Sequence, residues 1–275
     1  KYNFVFSYPV SEFQEVRAAF HDFLSLFEGR YPGYQACNTK FHDKIHTADA
    51  LLALSRLVDG YNIKVMKLPV QKVKIALIAT LFHDAGYIQK KGDRKGTGAK
   101  YTLVHVKRSI DFIGKYFKKR RFKEEHFFSA RNMIRCTGLD VKTEEIGFRN
   151  KAEKILGFIL GTADLLGQMS SRTYLEKLIS LYQEFQEGRV KGYDSEYTLF
   201  KKTLGFYEYI KDIFIERYQG VYRYARYHFQ QRYGINKDLY METISRQMKY
   251  LEGILKKRGG YWRRLRRKRE VLSVR

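Results

Sequence analysis

Apolar residues recur at three- and four-residue steps through most of this chain, and that periodicity constrains the fold more than any other feature. Phe13, Val16, Phe20, Leu24 and Phe27 form one stripe over Val10 to Glu28, after Ser11 and Gln14 at capping-box spacing. Phe41 to Val58 repeats the pattern with Phe41, Ile45, Leu51, Leu52 and Leu57. Pro69 sits where a helix starts, and Val73 to Phe82 is nearly all apolar. Thr102–Phe117, Glu125–Cys136, Lys151–Gln168 and Ser171–Phe185 also read as helices. Phe214, Tyr218, Tyr222, Ala225, Phe229 and Tyr233 continue the period, Gly234 marks a break, and Asn236–Lys256 closes the series. No strand pairs and no solenoid repeat are visible. The expectation is an all-α helical bundle, a single domain over 1–255 with a core over about 11–185, C-terminal helices over about 195–255 and a basic tail at 256–275.

Composition sharpens this. With 44% hydrophobic and 30% charged residues and 3 prolines in 275, disorder and low-complexity sequence are excluded. Two cysteines exclude a disulfide scaffold and a Cys-rich zinc fold, and suit a reducing, cytoplasmic compartment. Cys37 and Cys136 read as free core thiols. The apolar runs Ile75–Phe82 and Ile155–Leu166 are too short to span a bilayer, which takes roughly 20 residues. No secretory apolar region stands at the start of the sequence.

The net charge is +24, so the surface attracts anions: nucleotides, nucleic acid or acidic lipid. Most of it is concentrated in Lys90–Lys123, with 13 basic and 2 acidic residues, and Lys256–Arg275, with 10 and 1. Gly86–Lys100 reads as a glycine-rich loop; its cations, Lys95 and Lys100 among them, could clamp a phosphate as a lid, or the loop could be mobile with no ligand. Its spacing is not that of a Walker A loop. Arg217–Phe229 interleaves arginines with aromatics, a composition that binds single strands, but most of the rings fall on the core stripe. The tail segment Trp262–Arg269 could touch RNA or acidic lipid, or only solubilise the chain.

Three places carry chemistry. His83-Asp84 ends a buried helix, where a carboxylate needs compensation from a metal ion or from a capping or core hydrogen bond. His42 and His46 stand at i and i+4, expected on one face of one helix that Asp49 continues. Asp164 lies inside the apolar helix that contains Phe158, Ile159 and Leu160. A lone buried aspartate is usually a hydrogen-bond acceptor; with His46, His83 and Asp84 available, a metal role is the better reading.

The ordered set resembles the HD-domain superfamily of metal-dependent phosphohydrolases, over roughly Ser11–Phe185. Cys37–His46 is similar to the Tyr-His-Asn-x-x-His signature of its cyclic nucleotide phosphodiesterase branch, with Phe41 for the Tyr and Asp43 for the Asn. The resemblance implies that His46, His83, Asp84 and Asp164 ligate a divalent transition metal (Mn, Fe, Zn, Ni or Co), and that Asp84 can bridge to a second, weakly held Mg or Mn. It implies that His42 protonates the leaving oxygen, with Asp84 the other catalytic residue. The implied activity is hydrolysis of an anionic, nucleotide-like phosphoester, phosphodiester favoured, by water on the metal. His105 could ligate the second metal, contact a phosphate, or simply pack in its helix. Where some members carry further histidines this chain reads Ile134-Arg135-Cys136-Thr137, so a tightly held second metal and oxygenase chemistry are not expected. The Gly-Tyr-Pro signature of the cyclic-di-GMP branch is absent. Tyr87 stands where some HD hydrolases place a glutamate, so their mechanism, and that of alarmone hydrolases, is not implied. The competing readings are a basic nucleic-acid-binding protein on an HD scaffold and a catalytically silent HD sensor. The oligomeric state is not legible.

Overall fold

The structure is a computed structural model and describes residues 4–256. The tail reading therefore lies, beyond Lys256, outside the described residues. Ten α-helices carry the described chain, with no β-strand among them: α1 (Gln14–Phe27), α2 (Lys44–Lys64), α3 (Val70–Phe82), α4 (His105–Lys119), α5 (Glu124–Arg135), α6 (Lys151–Ser170), α7 (Tyr174–Glu187), α8 (Glu196–Asp212), α9 (Tyr224–Tyr233) and α10 (Leu239–Leu255). The all-α expectation holds. No described helix is long and apolar enough to cross a membrane.

Helix α3 sits at the centre because from Ile75 onward its sequence leaves it no polar face. Every side chain from Ile75 to Phe82 is buried, and α1, α2, α5 and α6 surround it. Each fully buried Leu, Ile or Phe contributes about 1.5–3 kcal/mol relative to exposure. Helix α6 is the second buried element and packs on α2, α3, α5 and α10; α2 in turn carries α9 on its other side. The contact between α2 and α6 is close because Gly167 has no side chain: a Cβ there would lie 2.7 Å from the Ala50 nitrogen and 2.8 Å from the Asp49 carbonyl carbon.

Several local expectations change. The first turn, Val10–Phe13, is a 3₁₀ turn entered from Pro9 with no side-chain cap, so the Ser11/Gln14 capping box does not form. Helix α2 starts at Lys44 rather than Phe41, because Asp43 caps it: its Oδ1 accepts from the backbone N–H of Ile45 at 3.0 Å and of His46 at 2.9 Å. The buried stripe of α2 is Ala50, Leu51, Ala53, Leu54, Leu57 and Val58, while Ile45 and Leu52 are exposed. The stripe from Phe214 to Tyr233 is not one helix. A π-helical turn over Ile213–Arg217 is followed by left-handed backbone at Gln219 and Gly220, and α9 restarts at Tyr224. The aromatics of this region still pack inward: Tyr218 and Phe229 are buried.

Asp59, in the middle of α2, is fully buried and ties three parts of the fold together. It accepts from Ser7 Oγ, from His228 Nδ1 at 2.8 Å, and from Arg232 through Nε and a terminal nitrogen, each at 2.9 Å. The N-terminal segment, α2 and α9 thus meet on one carboxylate.

Candidate metal centre

Four side chains from three helices converge where α2, α3 and α6 meet. His46 stands in the first turn of α2, His83 and Asp84 at the end of α3, and Asp164 in the middle of α6. His46 Nε2 lies 3.1 Å from Asp84 Oδ2 and 3.1 Å from Asp164 Oδ1. His83 Nε2 lies 3.3 and 3.4 Å from the same two oxygens. Ligand atoms of His46, His83 and Asp84 fall within 4.8 Å of one another, and all three residues are buried. Asp164, at 16% side-chain exposure, is the member that faces outward.

The bonding around these atoms is incomplete in one direction. His83 Nδ1 donates to the Thr80 carbonyl at 2.7 Å, which leaves Nε2 as a lone pair aimed at two carboxylate oxygens. His83 Nε2 and Asp84 Oδ2, both at the point of convergence, are buried without a hydrogen-bond partner. Unpaired buried polar atoms cost about 1–3 kcal/mol each, and more when charged. A positive charge at the point of convergence answers the deficit. Protons supply part of it: burial opposes charge on His46, but Asp164 and Asp84 outweigh it and push that imidazole up to about 10. Burial likewise opposes charge on Asp84 and Asp164, yet His83 and His46 hold both carboxylates below the usual range. A divalent cation could supply the rest, and two imidazoles with two carboxylates are a donor set that suits first-row transition metals.

A second layer borders the cluster on its exposed side. His42, read as sharing a helix with His46, instead lies just before the Asp43 cap and outside the helix. It still reaches the site, with its ring 5.7 Å from that of His46. Its Nδ1 is 2.7 Å from Glu184 Oε2 of α7, and Glu184 Oε1 also accepts from the Phe41 backbone N–H at 2.6 Å. His105, the first residue of α4, donates from Nδ1 to the Thr102 carbonyl at 2.6 Å and places Nε2 3.9 Å from Asp84 Oδ1. Its approach depends on Gly86, where a Cβ would lie 2.0 Å from the His105 carbonyl oxygen. Tyr87, buried, packs against both histidines, its ring stacked 4.3 Å from His42 and 4.6 Å from His105, whose own rings lie 6.3 Å apart.

Glu184 and Tyr87 were not legible as site residues. Glu184 comes from a helix 142 positions away, with no motif around it. Tyr87 drew notice in the sequence only as the position of a missing glutamate. Asp49 lies near His46, in a small pocket with Gln168, Ser171, Tyr174 and Lys177, rather than among the four convergent side chains.

The two lysines proposed as phosphate ligands are placed differently. Lys100 is committed to Asp93 at 2.6 Å, and Asp93 also takes the Tyr101 hydroxyl. Lys95 is exposed, and no contact among the described residues joins either lysine to the histidine cluster. Nor is the loop a free lid. Gln89 Nε2 donates to the carbonyls of Asp93 and Lys95 at 3.2 and 3.1 Å, the Thr97 hydroxyl bonds Glu187 at 2.6 Å, and Gly98 N–H bonds Asn38 at 2.9 Å. Glycine content signalled mobility, but the polar side chains around the loop pin it.

Searches of curated proteins and of solved structures find no match. The Npun_R2479-like family model matches residues 32–219, a span that contains His42, His46, His83, Asp84, Tyr87, His105, Asp164 and Glu184. Because that match covers well over half of the chain and the whole of the site, the protein is a member of the Npun_R2479-like family.

Proposed function

We propose that the chain is a metal-dependent phosphohydrolase that cleaves a nucleotide-like phosphoester, with a phosphodiester favoured. The observation that carries the reading is the convergence of His46, His83, Asp84 and Asp164 on one point, where His83 Nε2 and Asp84 Oδ2 are buried with no hydrogen-bond partner. These four would hold the metal. When bound, it lowers the pKa of water to make a nucleophile and neutralises charge on a phosphoryl oxygen. The order of the three motifs, which resembles that of the HD superfamily, points the same way.

The remaining roles fall to the chain's own groups. His42 gives its Nδ1–H to Glu184, so Nε2 is the nitrogen left to pass a proton to the leaving oxygen. Glu184 is itself fixed by the Phe41 backbone N–H, which sets the orientation of the imidazole. His105, tied by Nδ1 to Thr102, turns its Nε2 lone pair toward Asp84 and the exposed side of the site, where it would ligate a second metal. Tyr87 packs against both rings and supports their positions. Side-chain exposures of 14% for His42, 16% for Asp164 and 23% for His105 leave an approach from that side, while His46, His83 and Asp84 stay covered.

The test is turnover. Manganese-loaded protein is incubated with cyclic nucleotides, nucleoside phosphates and short RNA, and products are separated by chromatography. The proposal expects a product from wild type, none from Asp84→Ala, and from His42→Ala a loss of about 10²–10⁴-fold with metal retained. Silence from wild type with metal bound, or a wild-type rate from His42→Ala, contradicts it.

A further inference from the structure

The segment between α1 and α2 and the loop after α3 form one slab. Gln35 N–H donates to the Gln89 carbonyl and Lys91 N–H to the Gly33 carbonyl, both at 2.9 Å, and the Asn38 amide bonds Gln89 Oε1 at 2.7 Å. One end of this slab carries His42 and Tyr87 of the candidate site. The other carries Tyr31 and Tyr34, half-buried, whose rings rest 5.7 and 5.3 Å from Phe112 of α4. Cations lie close to these rings along the backbone: Lys90 is bridged to Tyr34, and Lys91 bonds Gly33. Lys119 Nζ lies 5.1 Å over Tyr31, while Lys90, Lys91, Arg94 and Lys118 are exposed with no anionic partner among the described residues. The charge concentrated between Lys90 and Lys123 is thus gathered on one slab and the helix beneath it, and the hydrolytic site uses none of those four cations.

Partly exposed tyrosines beside unpaired cations are a combination that binds single-stranded nucleic acid: the rings stack bases and the cations neutralise phosphates. We propose that this slab is a docking track for a single-stranded polynucleotide, leading a strand along Tyr31 and Tyr34 to the histidine cluster. The inference rests on the hydrolase reading for what happens at the end of the track, and on the slab alone for binding. An anionic lipid surface would engage the cations but has no use for the tyrosine faces. The exposed aliphatic pair near the site, Leu103 and Val104, is what such a surface would insert, so lipid is a separate arm of the test.

The experiment measures binding of the full chain, in chelator so that no cleavage occurs, to a labelled single-stranded RNA of about twelve uridines, over a range of salt. Three proteins are compared: wild type, the slab variant Lys90→Glu/Lys91→Glu/Arg94→Glu, and a control of equal charge change, Lys191→Glu/Lys201→Glu/Lys249→Glu. All are checked for fold by circular dichroism. Three lost phosphate contacts lower the slope of log affinity on log salt by about 2, about a hundred-fold in affinity at 0.1 M salt, in the slab variant only. Tyr31→Ala/Tyr34→Ala weakens binding about ten-fold or more with little change of slope. Equal losses in slab variant and control overturn the proposal, as does undiminished binding by the slab variant. Binding by wild type to phosphatidylserine vesicles but not to RNA overturns it too. Slab-dependent binding without cleavage once metal is restored supports the track and removes the hydrolase reading alone.

Discussion

Gly167→Ala probes the link between packing and the site. The new Cβ would stand 2.7 Å from the Ala50 nitrogen, 2.8 Å from the Asp49 carbonyl carbon and 2.9 Å from the Ala50 Cα, all backbone atoms of α2 that no rotamer change can move. Ordinary contact begins at 3.4 Å, so α2 and α6 must part locally by about 0.7 Å. His46 lies one turn before Ala50 and Asp164 one turn before Gly167, so the same displacement reaches the 3.1 Å pair of His46 Nε2 and Asp164 Oδ1. Metal–ligand distances tolerate about 0.2 Å. Two effects oppose each other in stability: overpacking costs about 1–3 kcal/mol, and alanine in a helix regains about 1 kcal/mol over glycine. The net expectation is a loss of about 0–2 kcal/mol, read by denaturant melting. Metal affinity should fall much further in proportion, by about 10–100-fold, read by titration calorimetry on chelator-stripped protein. A Gly167→Ala protein that binds metal as tightly as wild type would refute the claim that this glycine sets the spacing of the two ligand-bearing helices.

Other perturbations test other parts of the account. Removing Asp59 by Asp59→Ala leaves Arg232 and His228 without their shared acceptor and should cost about 3–5 kcal/mol in denaturant melts, whereas an effect below about 1 kcal/mol would reject its role as a tie. Burial opposes ionisation of Asp59, but His228, Arg232 and Ser7 outweigh it and hold its carboxyl low. The unfolded chain then binds the proton first, so this stabilisation is present above about pH 4 and drains away as pH falls further. Tyr87→Leu should leave metal binding intact while lowering turnover about 10–100-fold, with Tyr87→Phe near wild type; equal rates in all three proteins would deny that the stack positions His42 and His105. Burial pushes both thiols up, Cys136 being the more enclosed, so at neutral pH Cys136 should resist iodoacetamide until denaturant is added; rapid labelling of the native protein, read by mass spectrometry, would contradict this.

The sequence exposed those parts of the site whose chemistry clashes with their surroundings. Asp84 follows an apolar run and Asp164 interrupts another, and each stood out because a carboxylate there needs a partner. His42 was placed near the right neighbour for the wrong local reason: an i, i+4 spacing implies a shared helix only if the backbone between is helical, and Asp43 is a cap. Glu184 had no such signal, since an acid at the edge of an amphipathic helix usually faces water and only tertiary packing brings it to His42. The same limit applies to the Phe214–Tyr233 stripe. Its period marks Phe214, Tyr218, Ala225 and Phe229 as inward-facing, and they are, but Tyr233 is exposed, and periodicity does not register the left-handed backbone at Gln219 and Gly220 that divides the stripe. Charge alone marks Lys100 as a phosphate ligand, but Asp93, next to Gly92 in the same loop, claims it.

The most direct test of the central claim is the metal content of the purified chain, by inductively coupled plasma mass spectrometry after exhaustive dialysis, for wild type, His46→Ala and Asp164→Ala. The account predicts about one equivalent of a divalent transition metal in wild type and loss of most of it in each variant, with the helical circular dichroism preserved. A folded wild-type chain that, after incubation with manganese, zinc or iron, retains no more metal than Asp164→Ala would contradict it.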